Sequence, residues 1–200
     1  MAANRVMKSV TSWLERKLRL KVSATKTKVV RPTKSNFLGF TFWKNQEGWK
    51  CKPANDRKKV LYDKTRAILC RRKAVARPMK STIEQLNWLI RGWINYYRIG
   101  SMKTFLDEYG QWLRHKVRVV ILKQWKKPMR IYLNLQKLNR IVGCNFTDEE
   151  MFKVANSRLG WYRRTGMYVV NFALNPQILG RKTKGRPGLV DPLKYYLSNI

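Results

Sequence analysis

The sequence predicts a mainly α-helical protein with a small β element near the N-terminus and an irregular, basic C-terminal tail. Three observations predict this class. Apolar residues recur at spacings of three and four over much of the chain after residue 53, which is the period of an amphipathic helix. β-Branched and aromatic runs bounded by turn residues are confined to residues 26–52. Glycine and proline crowd the C-terminal segment, which is typical of loops and short turns.

The net charge is the largest single fact about the composition. The 200 residues include 44 Lys+Arg against 11 Asp+Glu, a formal charge of +33. So much like charge destabilises a compact chain, and a polyanionic partner would remove the repulsion. Disorder does not explain the charge, because 44% of the residues are hydrophobic and 8 are Trp. The composition therefore predicts a folded protein with a basic surface.

The few, widely spaced cysteine and histidine residues exclude a structural zinc site and indicate a reducing compartment. Cys51, Cys70 and Cys144 lie far apart, and His115 is the only histidine, whereas structural zinc sites need about four closely paired ligands. An odd cysteine count without a signal peptide favours a reducing compartment. We expect a bacterial cytoplasmic protein, with association with the nucleoid as an alternative. No apolar run is long enough to cross a membrane, so no membrane partner is expected.

The first fifty residues predict one helix and a hairpin. Residues 4–19 form an amphipathic helix whose apolar face would carry Val6, Val10, Trp13, Leu14 and Leu18. Strands are predicted at 26–31 and at 36–43, followed by a turn and a short return strand at 49–52. Pro53 would lie in the first turn of the next helix.

Two helices are predicted between residues 55 and 97. The first spans 55–75 with a thin apolar stripe. The second begins at a capping box formed by Ser81 and Glu84. Its core stripe is Ile83, Leu86, Ile90, Trp93 and Tyr97. Trp88 and Tyr96 lie off this stripe and would pack on a neighbouring helix, which Gly92 would allow to approach closely.

Further helices are predicted at 103–126 and 131–141, and from a second capping box at 147–150 to about residue 159. The inward face of the first would carry Leu106, Tyr109, Leu113, Val117 and Val120. Loops follow up to a short final helix at 193–197.

Four segments occur in the order in which a known family carries them. Lys26-Thr27-Lys28 precedes residues 36–42 in a K-T-K…F-L-G-F-x-F pattern, and the others lie at 86–97, 124–128 and 155–163. Together they resemble the C-terminal part of group II intron reverse transcriptases: the end of the palm, the thumb and the maturase-specific region. One departure is Ser23, where the family usually has asparagine. The aromatic order in the last segment is also altered.

The resemblance implies three regions: the end of the palm at 1–52, a helical thumb and maturase-specific domain at 53–130, and a basic nucleic-acid-binding tail at 131–200. The residues near the primer would be Lys26, Phe37, Leu38 and Gly39. The family's Y-x-D-D polymerase motif does not occur in this sequence. We therefore expect no catalytic residues, no metal ligand and no cofactor in this chain, with Mg²⁺ used only together with a separate catalytic half.

Neither acidic cluster predicts catalysis. Two-metal phosphoryl transfer needs carboxylates that converge on ions about 3.5–4 Å apart. Asp107-Glu108 lacks two further convergent ligands, and residues 148–150 are explained by helix capping and the helix dipole.

Lysines and arginines greatly outnumber the carboxylates with which they could pair. We therefore expect the unpaired cations to contact phosphates. The predicted RNA-binding residues are Arg71, Arg72, Lys73, Arg91, Arg114, Lys116, Arg118, Lys123, Lys126, Lys127, Arg130, Arg158, Arg163, Arg164, Arg181, Lys182, Lys184 and Arg186.

The resemblance and the charge together predict a protein that binds structured RNA of a group II intron, and also an RNA–DNA duplex, for splicing and intron mobility. One alternative is a subunit that completes a split RNA-directed DNA polymerase with its catalytic half in trans. The other is a general basic protein that binds DNA or anionic membranes.

Overall fold

The computed structural model describes residues 2–183 and 185–199. The chain folds as two compact units, residues 1–54 and 55–200, and each is described by itself. The predicted class is confirmed: helices dominate, and one small sheet lies near the N-terminus. In the part of the chain that the structure describes, no helix is both long and apolar enough to span a membrane.

The first unit begins with the predicted amphipathic helix. Helix α1 spans Ala2–Lys17. Its apolar residues Val6, Val10 and Trp13 are exposed, so the predicted face forms but contributes no buried core.

The sheet consists of three antiparallel strands in sequence order, β1 (Asn36–Phe37), β2 (Phe40–Asn45) and β3 (Gly48–Pro53). The predicted strand at 36–43 is divided, because Leu38 and Gly39 both have positive φ, 51° and 81°. Positive φ at both central residues is the requirement of a tight type I′ hairpin turn. The return strand after residue 48 is confirmed, with Asn45 opposite Gly48.

Two predictions in this unit are wrong. Residues 26–31 form no strand, because the amides of Lys26 and Thr27 donate to the Ser23 carbonyl and turn the chain. Pro53 does not begin a helix: it ends β3 opposite Phe40.

Among the residues that the structure describes, the regular elements of the second unit are all helices. These are α2 (Asn55–Ile68), α3 (Arg71–Ala76), α4 (Met79–Tyr97), α5 (Lys103–Trp125), α6 (Pro128–Val142), α7 (Asp148–Asn156), α8 (Trp161–Thr165), α9 (Tyr168–Ala173), α10 (Pro176–Gly180) and α11 (Pro192–Leu197).

The single helix predicted at 55–75 is two helices. The chain breaks at Leu69 and Cys70, and the Cys70 carbonyl accepts the amide of Ala74 at the start of α3. Ala74 is fully buried, and its carbonyl accepts a bond from the Gln124 side chain of α5. If α2 continued straight, Ala74 would lose this packing against α5. The spacing of apolar residues along the chain does not show such tertiary contacts.

Helix α4 carries most of the predicted core stripe, with Ile83, Leu86, Ile90 and Tyr97 buried. Trp93 is only half-buried, and Ile94 beside it is in the core instead. The predicted capping box is wrong. The helix begins at Met79 after Pro78, and no side chain caps its N-terminus. Thr82 therefore lies inside the helix and is buried.

Helix α5 is the centre of the unit and confirms the predicted inward face. Leu106, Tyr109, Leu113 and Val117 are fully buried. The Tyr109 hydroxyl lies 2.7 Å from Thr65 Oγ1 of α2, which satisfies both groups.

The C-terminal part is more regular than predicted. The capping box of Thr147 and Glu150 is confirmed, although α7 ends at Asn156 rather than near residue 159. Residues 160–192, predicted as loops, contain the short helices α8, α9 and α10. Their buried residues Thr165, Val170 and Leu179 explain why these turns form, since tertiary packing stabilises helices too short to persist alone. The final helix is confirmed and is capped by Asp191.

The three predicted functional regions stay predictions. Within the second unit, α5 and α6 contact each other across the predicted boundary at residue 130.

Candidate nucleic-acid interface

One face of α5 carries cations and aromatic rings at helical spacing. Trp112, Lys116 and Lys123 are separated by four and seven residues, which places them on the same side of the helix. His115 lies beside Lys116. This face turns away from the buried stripe and towards α8.

Helix α8 supplies the aromatic partners of these lysines. Lys116 Nζ lies 4.9 Å from the ring centre of Tyr162, and Lys123 Nζ lies 5.8 Å from that of Trp161. The Arg164 guanidinium lies 4.9 Å from the same Trp161 ring. Cation–π contacts of this kind hold long flexible side chains in place and leave the charge available to an anion.

Helix α2 extends the series on the other side of Trp112. The Arg66 guanidinium lies 5.6 Å from the Trp112 ring and 5.7 Å from the Tyr62 ring. Lys116 also lies over Trp112, at 5.9 Å. The side chains therefore form a connected surface, which we call the aromatic–cation track. It consists of Arg66, Trp112, Lys116, Lys123, Trp161, Tyr162 and Arg164, together with Arg71 of α3, whose charge acts on Lys123.

The electrostatics of the track favour an anionic ligand. The pKa of Lys123 is lowered, first by burial and then by the nearby Arg71 charge. Burial also lowers the pKa of Arg164. Arg66 forms an ion pair with Asp63 at 2.8 Å, but both groups are exposed and such pairs contribute little. A lysine beside another positive charge is stabilised in its charged form when a phosphate approaches.

His115 lies under the track. Its ring centre is 4.1 Å from that of Tyr162, and its Nε2 is 3.2 Å from Thr165 Oγ1. Its pKa is lowered below the usual 6.5 because burial disfavours the charged ring and because Arg118 and Lys116 repel the added proton. The histidine is therefore neutral at pH 7 and supports α8 rather than adding charge.

Acidification is expected to lower the stability of this region. Between the lowered pKa of folded His115 and 6.5, the unfolded chain binds the proton more readily, so the free energy of unfolding falls as pH drops through this window. Thermal melts at pH 7 and 5.5 should show a lower Tm at pH 5.5. His115→Gln, which keeps a polar partner for Thr165, should reduce that difference. Because His115 is the only histidine, an unchanged difference in the variant would contradict this role.

Two predicted phosphate ligands instead hold the fold together. Arg118 is 8% exposed, and its guanidinium donates to the Leu174 carbonyl at 3.0 Å and to Asn171 Oδ1 at 2.6 Å. Burial, followed by repulsion from Arg114, lowers its pKa to about 10. Arg114 donates to Asp191 at 3.0 Å, in a pair that is largely shielded from solvent. The prediction of these two as surface cations is corrected, since α9 and the segment before α11 cover them.

Other predicted cations remain exposed outside the track. Arg91 lies on α4 over the ring of Tyr195, at 5.8 Å. Exposed cations also occur on α3 and at the corner between α5 and α6; they are Arg72, Lys73, Lys126, Lys127 and Arg130.

The predicted cations of the C-terminal part differ in their exposure to solvent. Arg158, Arg163, Arg181 and Lys182 are exposed. Arg186 is half-buried and donates to the Ile178 carbonyl at 3.4 Å, and burial lowers its pKa. Lys184 lies outside the described residues.

The predicted primer-proximal residues belong to the first unit. Lys26, Phe37 and Leu38 are exposed, whereas Gly39 is buried in the hairpin turn. Their proximity to a primer stays a prediction.

The acidic clusters have structural partners. Asp107 accepts a hydrogen bond from Gln111 at 3.1 Å. Asp148 accepts one from Gln136 at 2.9 Å, and that bond is the main reason for its lowered pKa. Within residues 2–183 and 185–199, no group of three His, Cys, Asp or Glu side chains is placed to hold a metal ion.

The residues predicted from the sequence did not include the aromatic half of the track. Trp112, Trp161 and Tyr162 were not among the predicted binding residues, and neither was Arg66. The spacing of Trp112, Lys116 and Lys123 on α5 could have shown that they share one face of the helix. Nothing in the sequence indicated that α8 packs against this face, because that segment was predicted to be a loop.

Part of the chain matches a known family. Residues 58–139 match the family described as group II intron, maturase-specific domain. The matched range runs from α2 into α6 and includes the α5 side of the track, whereas α8 lies beyond it. Comparison with curated proteins found no match.

Proposed function

We propose, from the match of residues 58–139 to the group II intron maturase-specific domain family, that this chain binds folded intron RNA and stabilises it for splicing and intron mobility. The observation that carries the proposal is the aromatic–cation track. It joins four helices and presents cations that are fixed against aromatic rings.

The charge supplies the affinity. Each phosphate neutralised by a lysine or arginine releases condensed counterions, so binding is strong at low salt and weakens steeply as salt rises. The formal charge of +33 is also relieved on binding, because the polyanion removes repulsion within the protein.

The rings supply preference for folded RNA. Phosphate contacts set position and orientation but do not read sequence. RNA-binding proteins obtain specificity from loops and bulges, whose bases stack on aromatic side chains. Tyr162 is exposed in the track. An unpaired base can stack on its ring while Lys116 binds the adjacent phosphate.

A salt series with competitors tests the proposal. Filter binding of the full chain to folded intron RNA should give a linear fall of log affinity with log salt, losing about 10³–10⁵ in affinity between 50 and 200 mM for six to ten phosphate contacts. Intron RNA should resist competition by duplex DNA, an RNA–DNA duplex and anionic vesicles. A flat salt response, or equal competition by every polyanion, would overturn the proposal.

A further inference from the structure

A second aromatic surface lies between α2 and α4. It is an open cavity of about 410 Å³ lined by residues that include Arg57, Lys64, Trp88, Gly92, Trp93 and Tyr96. We call it the α4 slot. Its volume lies within the range of about 300–1,000 Å³ that is typical of small-ligand sites. None of the aromatic–cation track residues lines it.

The slot has two exposed rings separated by a glycine. Trp88, Gly92 and Tyr96 follow one another at intervals of four residues, so they lie along one face of α4. Trp88 is 72% exposed and Tyr96 is 57% exposed. They are eight residues apart, which corresponds to about 12 Å along the helix axis.

Gly92 has no structural explanation within the described chain. It was predicted to let another helix approach closely, and this is wrong: a Cβ built at Gly92 would meet nothing within 4 Å. Glycine in a helix interior lowers helix stability relative to alanine. The prediction that Trp88 packs on a neighbouring helix is also wrong, since most of its side chain faces solvent. Open space between two exposed rings is thus maintained at a cost to the helix.

The walls of the slot are fixed by the core. The Trp93 ring lies 4.6 Å from the Tyr97 ring and 5.5 Å from the Phe105 ring of α5. Tyr96 packs edge-on against Tyr97 at 4.7 Å. A ligand that enters the slot would therefore meet two rings, Trp93 and Tyr96, that are already held in place, which lowers the entropy cost of binding.

The charge of the slot indicates its ligand. Both charged side chains that line it among the described residues are cations, Arg57 and Lys64. Arg57 contacts Asp56 at 3.2 Å, but this pair is half exposed and weak. Proteins that bind single-stranded nucleic acids combine aromatic rings, on which the bases stack, with cations that contact the phosphate backbone.

We infer that the α4 slot binds an unpaired nucleobase of RNA, stacked on Trp88 over Gly92, with the flanking phosphates held by Arg57 and Lys64. The inference rests on the proposed RNA binding but concerns a different surface from the track. A docked protein segment is the alternative occupant, and it becomes an outcome of the test.

The test uses the full chain and two RNA hairpins that differ only in one looped-out 2-aminopurine. Wild type should bind the bulged hairpin more tightly and quench its 2-aminopurine fluorescence. Trp88→Ala should lose about 5- to 150-fold in affinity for the bulged hairpin, as stacking losses do, with the paired hairpin unchanged.

Gly92→Leu provides a variant that should fold at least as well as wild type. Its side chain enters open space and leucine favours helix, yet it fills the slot and should reproduce the Trp88→Ala loss. Gly92→Ala should retain more of the binding than Gly92→Leu. Phe152→Ala, which removes a 58% exposed ring from α7, is the matched control and should change neither affinity.

Three results would overturn the inference: no preference of wild type for the bulged hairpin, wild-type binding by both slot variants, or equal losses on both hairpins. A shift from dimer to monomer in Trp88→Ala without RNA, with hairpin affinities unchanged, would show a protein interface instead. Failure of the proposed function is distinguishable, since it would appear as a flat salt response whatever the slot variants do.

Discussion

Replacing Lys116 and Lys123 together by alanine is expected to weaken binding of folded intron RNA by about 10- to 50-fold near 0.15 M salt. The two lysines are held over Tyr162 and Trp161 and each is expected to neutralise one phosphate. The slope of log affinity against log salt should therefore fall in magnitude by about two. Filter binding across a salt series measures both quantities.

The matched control is a pair of exposed lysines of the same unit outside the track. Lys80 on α4 and Lys137 on α6 are exposed, and their double alanine variant carries the same change in net charge. If both double variants lose equal affinity, net charge alone drives binding and the track has no special role. Circular dichroism melts establish that each variant is folded.

Arg118→Ala is expected to lower the free energy of unfolding by about 2–4 kcal/mol, because the carbonyl of Leu174 and Oδ1 of Asn171 lose a charged donor inside the protein. For a chain of this size that corresponds to a Tm about 5–15 °C lower. Differential scanning calorimetry measures it. The site matters because Arg118 ties α9 and the residue after it to α5.

The control for Arg118 is Arg163→Ala, which removes an exposed arginine of α8 and should change stability by less than about 0.5 kcal/mol. Below its Tm, Arg118→Ala should keep the salt slope of wild type. An unchanged Tm together with a slope reduced by one would mean that Arg118 binds phosphate, as the sequence analysis first predicted.

Local patterns predicted much of the fold. Spacings of three and four placed the buried faces of α4 and α5 correctly, because a long amphipathic helix needs only its own residues to show which side is apolar. The capping box at Thr147 was also predictable, since both of its bonds lie within four residues. The box predicted at Ser81 failed because the chain begins α4 directly after Pro78.

The aromatic–cation track was less predictable, because it joins residues far apart in sequence. Nothing near Lys116 indicates that Tyr162 will lie under its ammonium group. Helix α8 has only five residues, between Gly160 and Gly166, which is too few for a periodic pattern. It is stabilised by packing against α5. The same packing turns Arg118 inward, although on α5 alone it resembles the other exposed cations.

By itself, the sequence determined the helical class, the large positive charge and, through its ordered motifs, the resemblance to group II intron maturases. These properties depend on composition and on short-range spacing. Only the tertiary structure decided which cations lie beside aromatic rings at the surface and which are buried in the core, and that an open aromatic slot lies beside Gly92. Whether a lysine or arginine is buried or paired depends on helices that come together only on folding. The type of side chain alone therefore does not determine it.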